Sequence, residues 1–246
     1  MAHQILKKTL LTATLIYMGV SGKSHADEGN KPFAHSAAYF GAEAGIRKIK
    51  SKGDQQIRLG GASDFQKFDI SRNVGAGGVF IGYKEIKENF MHGLEISVNL
   101  SQSRLKKTLV GTPGGPYSGR KSVVSLKRYT VGPASLTFGI PIATRLLPYV
   151  KAGACVGYFD AKHTEGSTSK RKFKWKMGLL LGTGLEVAVT HKISGRVEFK
   201  YEKFSRYRTR ELATTPAGIS IKHVHDPSSM SLQAGLLYHV TPKSAI

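Results

Sequence analysis

The feature that most constrains the fold is an alternation of apolar and polar residues with a period of two. In segment 93–101, apolar Leu94 and Ile96 alternate with polar Glu95 and Ser97. Successive side chains of a β-strand point to opposite faces, so this pattern predicts strands with one apolar and one polar face. The pattern recurs through the chain without a low-complexity linker or a break in composition. It therefore predicts a single all-β domain.

The apolar face of these strands needs a cover that the sequence does not supply. In segment 173–189, Phe173, Trp175 and Met177 share one face with further apolar residues, and lysines and glycines occupy the other. A long sheet in a soluble protein is normally covered by helices or by a second sheet. Because no helical periodicity accompanies these strands, we interpret the apolar face as the lipid-facing surface of a closed barrel.

Eight segments fit the alternation, with lengths compatible with strands that cross a bilayer. They are residues 38–46, 76–84, 93–101, 124–140, 149–159, 173–189, 195–205 and 230–240. The connections alternate between long ones, at 51–72, 104–122, 162–172 and 206–229, and short ones, at 85–89, 141–147 and 190–194. Long external loops and short periplasmic turns are typical of outer-membrane barrels. We predict an all-β fold, an eight-stranded antiparallel transmembrane β-barrel, with a bulge at Gly132-Pro133.

The N-terminal segment has the features of a signal peptide. Lys7 and Lys8 precede an apolar run over 9–20, and Ser24-His25-Ala26 offers a small-x-Ala cleavage site. The run is too short for a transmembrane helix, which needs about 20 apolar residues. We expect residues 1–26 to be a signal peptide and residues 27–246 to be a barrel domain exported to the bacterial outer membrane.

Charge and cysteine content restrict the partners. The formal net charge is +21, which favours acidic partners. For an exported protein we expect outer-membrane lipid and lipopolysaccharide, with host-surface polyanions as a further class, and no nucleic acid. The single cysteine, Cys155, excludes an intramolecular disulfide. We interpret it as a small barrel residue and not as a nucleophile.

Several segments together resemble a known family. They read AAYFGAEAGI from Ala37, VFIGYKEI from Val79, GLEISVNL from Gly93, PYVKAGACVGYF from Pro148 and GRVEFKYEKF from Gly195. These segments are similar to those of the small outer-membrane β-barrel family that includes the opacity-type and porin-like surface proteins. The resemblance implies an eight-stranded barrel folded into the outer membrane, and it implies no particular ligand.

Charged residues recur at positions predicted to face the barrel interior. An eight-stranded barrel is just wide enough for side chains to fill it, and buried charges are tolerated only when they are paired. We therefore expect a structural ion-pair network; the alternative is a narrow or gated path for ions. The predicted members are Glu43, Arg47, Glu95, Lys151, Lys174, Lys176, Glu186, Arg196, Glu198, Lys200 and Glu202.

Basic residues also concentrate in the predicted long loops, where acidic residues are scarce. Cations at the outer ends of strands bind phosphate groups through charge-assisted hydrogen bonds. We expect contact with lipopolysaccharide, with a host-surface polyanion as the alternative. The predicted residues are Arg104, Lys106, Lys107, Arg120, Lys121, Lys170, Arg171, Lys172, Arg206, Arg208 and Arg210.

The remaining motifs do not indicate an enzyme or a cofactor. His223, His225 and Asp226 have residue types that bind zinc or nickel, but without a further ligand nearby we interpret them as polar loop residues. Segment 114–122 resembles a phosphate-binding loop but has one residue too many. His92 lies on the lipid-facing parity without an identifiable serine partner. We expect a structural and surface-interaction role; the alternatives are a narrow porin, a lipid hydrolase or acyltransferase, and a secreted lipocalin-like carrier.

Overall fold

The computed structural model describes residues 37–59, 62–87, 90–100, 103–110, 121–142, 145–165, 168–212 and 220–240. The expected signal peptide lies outside these residues. All of the described residues belong to one compact unit, 32–246. In the described part of the chain, no helix is long and apolar enough to cross a membrane.

The described residues form ten antiparallel β-strands. The strands are β1 (Ala37–Leu59), β2 (Ala62–Lys87), β3 (Phe90–Leu100), β4 (Ser103–Val110), β5 (Lys121–Gly139), β6 (Leu146–Glu165), β7 (Thr168–Ala188), β8 (Ile193–Phe204), β9 (Tyr207–Leu212) and β10 (Ser220–Val240). Eight of them pair in the order β1-β2-β3-β5-β6-β7-β8-β10. Strand β10 then pairs with β1 from Ala38↔Val240 to Arg58↔Ser220, which closes the ring. The predicted eight-stranded antiparallel barrel is therefore confirmed.

Side chains alternate between the two sides of this ring as the sequence predicts. The outward side chains form an apolar band, in which Leu179 is 70 % exposed, Leu236 is 65 % exposed and Trp175 is 60 % exposed. The inward side chains include most of the buried charged and polar residues. An apolar exterior around a polar interior is the arrangement that a β-barrel adopts in lipid.

The short turns confirm the prediction, but the predicted long loops are largely wrong. Strands β1 and β2 pair as far as Leu59↔Ala62, across most of the predicted loop 51–72. Strands β4 and β9 and the ends of β5, β6, β7 and β10 likewise occupy the other predicted long loops. Beyond the apolar band both faces carry polar residues, such as Lys50 and Ser51, so the apolar alternation disappears while backbone pairing continues.

The two ends of the barrel differ in how the strands pair. At the turn end, where the short turns lie, the ring is closed. At the hairpin end, β2 before Gly77 pairs only with β1, and β7 before Gly178 pairs only with β6, among the described residues. The hairpin end thus consists of two four-stranded sheets, β9-β10-β1-β2 and β4-β5-β6-β7. We call the lines that separate these sheets the β2/β4 seam and the β7/β9 seam.

The predicted bulge lies where β5 changes its partner. The register between β5 and β6 shifts between Val131 and Ala134, which confirms an irregularity at Gly132-Pro133. On its other side, β5 pairs with β4 over residues 121–128 and with β3 over residues 134–139. Proline cannot donate a backbone hydrogen bond, so its position at this break in the ladder costs no pairing.

Candidate functional site

The charged interior is built mainly on β8. Alternation along this strand directs Arg196, Glu198, Lys200 and Glu202 inward, and each is at most 4 % exposed. Their outward neighbours include Val197, which is 37 % exposed. One short strand therefore places four charged side chains in the interior, where charges must find partners at short range.

Arg196 is the centre of the network. Its Nη1 donates to Glu95 Oε2 at 2.6 Å, and its Nη2 donates to Glu43 Oε2 at 2.7 Å. The guanidinium also lies 3.5 Å from the centroid of the Phe80 ring, a cation–π arrangement. Arginine is suited to this position because its planar fork can serve two carboxylates at once.

Two lysines connect the same carboxylates, Lys151 from β6 and Lys200 from β8 itself. Lys151 Nζ lies 2.9 Å from Glu95 Oε1 and also contacts Glu198. Lys200 Nζ lies 2.8 Å from Glu198 Oε2 and also contacts Glu43. Each carboxylate in this group is therefore held by at least two cations, which compensates for its removal from water.

A second group lies next to the first one and includes residues that the sequence analysis did not select. Lys84 Nζ lies 2.6 Å from Glu186 Oε1, and His239 Nε2 lies 3.3 Å from the same oxygen. Ser194 Oγ is 2.8 Å from His239 Nε2. Serine and glutamate thus share one ring nitrogen, whereas a hydrolytic triad needs the acid on the opposite nitrogen. This buried group does not have the geometry of a hydrolase.

A third group lies toward the hairpin end. Arg47 Nη2 is 3.6 Å from Glu202 Oε1, and Ser229 Oγ donates to Glu202 Oε2 at 2.8 Å. Across the three groups, the buried cations are Lys84, Lys151, Arg196, Lys200 and Arg47, and the buried carboxylates are Glu43, Glu95, Glu186, Glu198 and Glu202. The five cations and five carboxylates of these groups balance, so among the described residues the network has no surplus of cations that would favour an anion path.

Two of the predicted interior residues lie outside this network. Lys174 is exposed and Lys176 is half-buried, and both lie on β7 beyond its last pair with β8, Gly178↔Phe204. Their inward parity is as predicted, but the wall beside them is open at the β7/β9 seam. Lys174 therefore reaches solvent, and the Lys176 ammonium lies 6.0 Å from the centroid of the Tyr207 ring of β9 instead of beside a buried carboxylate.

The network residues that the sequence analysis missed had recognisable signals. The outward Val79, Ile81 and Tyr83 of β2 place Lys84 on the inward parity, and His239 lies between outward Tyr238 and Val240. The glycines of β2 obscured that assignment. Glycines on the inward face also have a packing role.

Inward-facing glycines make room for two tyrosines that bind the network. A Cβ at Gly82 would overlap the Tyr39 ring, and a Cβ at Gly184 would overlap the Tyr149 ring. Tyr39 donates its hydroxyl proton to Glu95 at 3.1 Å, and Tyr149 donates to Glu198 at 3.3 Å. The glycine-rich inner faces therefore allow aromatic rings to lie flat against the wall and still reach the buried carboxylates.

Apolar clusters enclose the network from both ends. Toward the hairpin end, a cluster joins the two sheets; its members are Ile49, Phe68, Ile70, Leu105, Cys155, Phe159, Phe204 and Tyr207. Toward the turn end, the cluster consists of Met91, Leu147, Tyr149 and Ala188. A cavity of about 10 Å³ lies beside Lys84, Glu95 and Arg196. That volume is close to the minimum for one water molecule, so no larger solute fits there.

On the outer surface, cations lie directly beyond the apolar band. Ser228 of β10 is in register with Lys50 on β1 and with Lys203 on β8, which places the two lysines on either side of it. Lys50 Nζ is 3.0 Å from Asp69, and Lys203 Nζ is 2.7 Å from Asp226. We call Lys50, Ser228 and Lys203 the basic row. Both lysine side chains are about 40 % exposed, so they remain open to a further anion.

A second outer group combines a cation with aromatic residues. Arg171 binds Asp160 through two bonds, Nε–Oδ1 at 2.8 Å and Nη2–Oδ2 at 2.5 Å. Its guanidinium lies 4.7 Å from the Phe173 ring centroid, and Tyr158 stacks on Phe173 at 5.6 Å. Aromatic residues beside cations are typical of the boundary between the apolar band and the headgroups in membrane barrels.

The predicted loop cations occupy strands more often than loops. Lys106 and Arg208 are exposed on β4 and β9, Lys172 is half-buried on β7, and Arg206 is exposed between β8 and β9. Arg120 lies outside the described residues. For the remainder the structure describes the backbone alone; these are Arg104 and Lys107 on β4, Lys121 on β5, Lys170 on β7 and Arg210 on β9.

The histidine motif is divided by the alternation of β10. His225 points inward, where it stacks on Tyr207 at 4.8 Å, and His223 is buried on the same side. Asp226 points outward and binds Lys203 and Arg206. Within the described ranges, no group of three His, Cys, Asp or Glu side chains could hold a metal ion.

Comparisons with known proteins agree with this architecture. The crystal structure of OprG from Pseudomonas aeruginosa matches with a TM-score of 0.56 at 14 % identity, covering 84 % of this chain and 98 % of that chain. Ail from Yersinia pestis matches with a TM-score of 0.32 at 14 % identity, covering 79 % and 97 %. Only the first score is high enough to support a shared fold. A search of curated proteins finds no match.

The family model for the OmpA-like transmembrane domain matches residues 33–244. The match spans every described strand, from β1 to β10. It agrees with the closed ring, the apolar outer band and the polar interior. The chain therefore belongs to the family of OmpA-like transmembrane domains and is an outer-membrane β-barrel.

Proposed function

We propose that this barrel is a surface protein of the outer membrane whose basic outer residues bind the phosphate groups of lipopolysaccharide. The basic row is the observation that carries the proposal. Lys50 and Lys203 lie on alternate strands, about 10 Å apart given the usual strand spacing. Met230, the next outward residue of β10 after Ser228, is 49 % exposed within the apolar band. A lipid with apolar chains and a phosphorylated headgroup matches this arrangement, in which the basic row lies directly beyond the apolar band.

The carboxylates beside these lysines support the assignment. Asp69 and Asp226 restrain the lysine side chains without fully covering them. Restrained cations lose less conformational entropy when a phosphate binds, and the resulting bonds are charge-assisted. A host-surface polyanion carries the same type of anionic group and is the alternative ligand class.

The test is the thermal unfolding of the purified barrel in detergent with added lipopolysaccharide. We expect lipopolysaccharide to raise the unfolding temperature of the unmodified protein, and this increase to be largely lost in the double variant Lys50→Gln with Lys203→Gln. The matched control is Lys87→Gln with Lys192→Gln, two exposed lysines at the turn end.

Dephosphorylated lipopolysaccharide serves as the ligand control and should have little effect. An equal temperature increase in the basic-row variant would overturn the proposal. Stabilisation by a sulfated oligosaccharide but not by lipopolysaccharide would instead favour the host-surface alternative.

A narrow pore is the second candidate that the sequence raised. The balanced network and the apolar clusters on both sides of it favour a closed interior. We therefore expect no stable single-channel conductance in planar bilayers. Regular conductance steps that change when Arg196 is replaced would instead support an ion path through the network.

A further inference from the structure

The β7/β9 seam leaves one edge of β7 without a backbone partner among the described residues. Pairing between β7 and β8 ends at Gly178↔Phe204. Ser205 then binds the Met177 carbonyl oxygen through its backbone N at 2.9 Å and its Oγ at 3.0 Å. Beyond this point β9 pairs with β10, and β7 pairs only with β6. Residues 173–176 of β7 therefore form a strand edge that has no further strand beside it among the described residues.

The Met177 bond also identifies which backbone groups face the seam. In an antiparallel sheet, the N–H and C=O of one residue point to the same side, and the side alternates along the strand. Because the Met177 carbonyl points to β8, the N–H and C=O groups of Trp175 and Phe173 point to the seam. Such a row of donors and acceptors is a template for an additional strand.

The side chains along this edge alternate in chemistry. Phe173 and Trp175 point outward and are 50 % and 60 % exposed. Lys174 is exposed and Lys176 is half-buried on the inward parity, and neither has a carboxylate partner among the described residues. Across the seam, Arg208 of β9 is also exposed. An added strand would therefore meet an apolar surface on one face and cations on the other.

The charge of the edge distinguishes it from the other seam. Residues 168–177 of β7 contain five cations and no carboxylate. The β2 edge at the β2/β4 seam carries Asp64 and Asp69 together with Lys67 and Arg72, so its charges are mixed. The β7 edge of a second copy would bring cations against cations. Charge complementarity thus favours an acidic partner over self-association.

We propose that the β7 edge binds an extended peptide segment of a partner protein by strand addition, with acidic side chains alternating with apolar ones. The backbone of the peptide would bond to Phe173 and Trp175, its carboxylates would face Lys174 and Lys176, and its apolar side chains would lie beside the outward aromatic rings. This mode of recognition combines main-chain bonds for affinity with alternate side chains for specificity. It goes beyond the lipopolysaccharide contact, which uses the outward faces of β1, β8 and β10.

The experiment uses a peptide of about seven residues that alternates glutamate with isoleucine, a length that matches an ordinary strand. Trp175 is the only tryptophan of the chain, so its fluorescence reports on this edge alone. We expect a saturable change in Trp175 emission when the peptide is added to the detergent-solubilised barrel. A peptide with proline at its centre should bind at least about tenfold more weakly, because proline lacks the N–H that the edge requires.

Two double variants test the charges. Lys174→Gln with Lys176→Gln should weaken binding roughly fivefold, since exposed ion pairs contribute modestly. Lys48→Gln with Lys67→Gln removes the same charge from exposed positions away from the seam and should leave binding unchanged. Equal affinity for the proline peptide would overturn strand addition. Binding of a sulfated oligosaccharide at this edge without binding of the peptide would also overturn it, and neither result depends on the basic row.

Discussion

At the turn end of the barrel every strand pairs on both sides, whereas at the hairpin end β2, β4, β7 and β9 each pair on one side among the described residues. The interiors differ in parallel. The closed ring contains Arg196 and its carboxylate partners, and the space between the two sheets contains the cluster around Phe159. The two interiors meet near Arg47 and Ile49, successive inward residues of β1.

This difference shows how wall and interior depend on each other. In the closed ring, backbone bonds fix the position of every strand, so the interior can hold charges that pair in a set geometry. At the hairpin end, the β2/β4 seam and the β7/β9 seam have no strand pairing among the described residues. Apolar packing between the sheets is then the interaction that holds them together, because it needs no exact alignment of donors and acceptors.

The largest expected effect comes from breaking the ring interior. Arg196→Met should lower the free energy of unfolding by about 3–5 kcal/mol, because it leaves Glu43 and Glu95 buried with fewer cations. Urea unfolding in detergent, followed by Trp175 fluorescence and by heat-dependent electrophoretic mobility, measures the loss. Lys192→Met in an exposed turn is the control and should have little effect. A loss below about 1 kcal/mol for Arg196→Met would contradict the proposed importance of the network.

The next effect separates the two regions. Phe159→Ala should cost about 3 kcal/mol, because Phe159 is 1 % exposed and its ring lies 5.3 Å from Phe204 and 5.6 Å from Tyr207. We expect faster hydrogen exchange in 168–177 and in β9, while the ring stays protected. Leu105→Ala, on β4 of the same sheet, should loosen the same end. Uniformly faster exchange in all strands would show that the two regions unfold together.

The same lysine–carboxylate interaction occurs in the ring interior and on the outer surface, so its contribution can be compared between the two. Lys151 lies 2.9 Å from Glu95 in the ring, and Lys50 lies 3.0 Å from Asp69 on the outer surface. Lys151→Met should cost about 3 kcal/mol because Glu95 stays buried, whereas Lys50→Met should cost less than about 1 kcal/mol. Equilibrium unfolding of both variants tests the difference. Equal losses would mean that burial does not distinguish the two sites.

The smallest effect concerns the turn end outside the apolar band. The Lys87 ammonium, 3.0 Å from Glu85, holds the pKa of that carboxyl below its ordinary value. A lowered pKa means that the contact stabilises the fold above the pKa of the unfolded chain and is lost as the pH falls through the folded-state pKa. An NMR titration of the Glu85 carboxyl should show this, and Lys87→Ala should raise its pKa. An unchanged pKa in that variant would contradict the assignment.

The closed ring could be predicted from the sequence, because lipid outside and charges inside impose opposite polarities on successive residues. In β8, Val197 and Phe199 alternate with Arg196 and Glu198, so both the strand and its facing follow from the pattern. In β2, the facing was obscured because glycines replace side chains that would reveal it. Lys84 was missed for that reason.

The strands of the hairpin end could not be predicted in the same way. Around Lys50, Ser51 and Lys52 both faces are polar, so the sequence has no alternation that distinguishes a strand from a loop. Each seam is a line where two strands distant in sequence do not pair. Local composition does not reveal that such a pair is missing. The exposure of Lys174 and the partial exposure of Lys176 depend on these missing pairs, so they could not be predicted from parity alone.

The pairing of β1 with β10 has a consequence for the time course of folding. The first and last described strands are neighbours, from Ala38↔Val240 to Arg58↔Ser220. Contacts between residues so distant in sequence form slowly, because a long loop of chain must close first. An incomplete chain that lacks β10 would keep the free edge of β1 and an open interior. Such a chain presents unpaired strand edges to other chains and can aggregate through them. If the whole domain reaches the membrane before β1 and β10 pair, the time in which these edges are exposed is short.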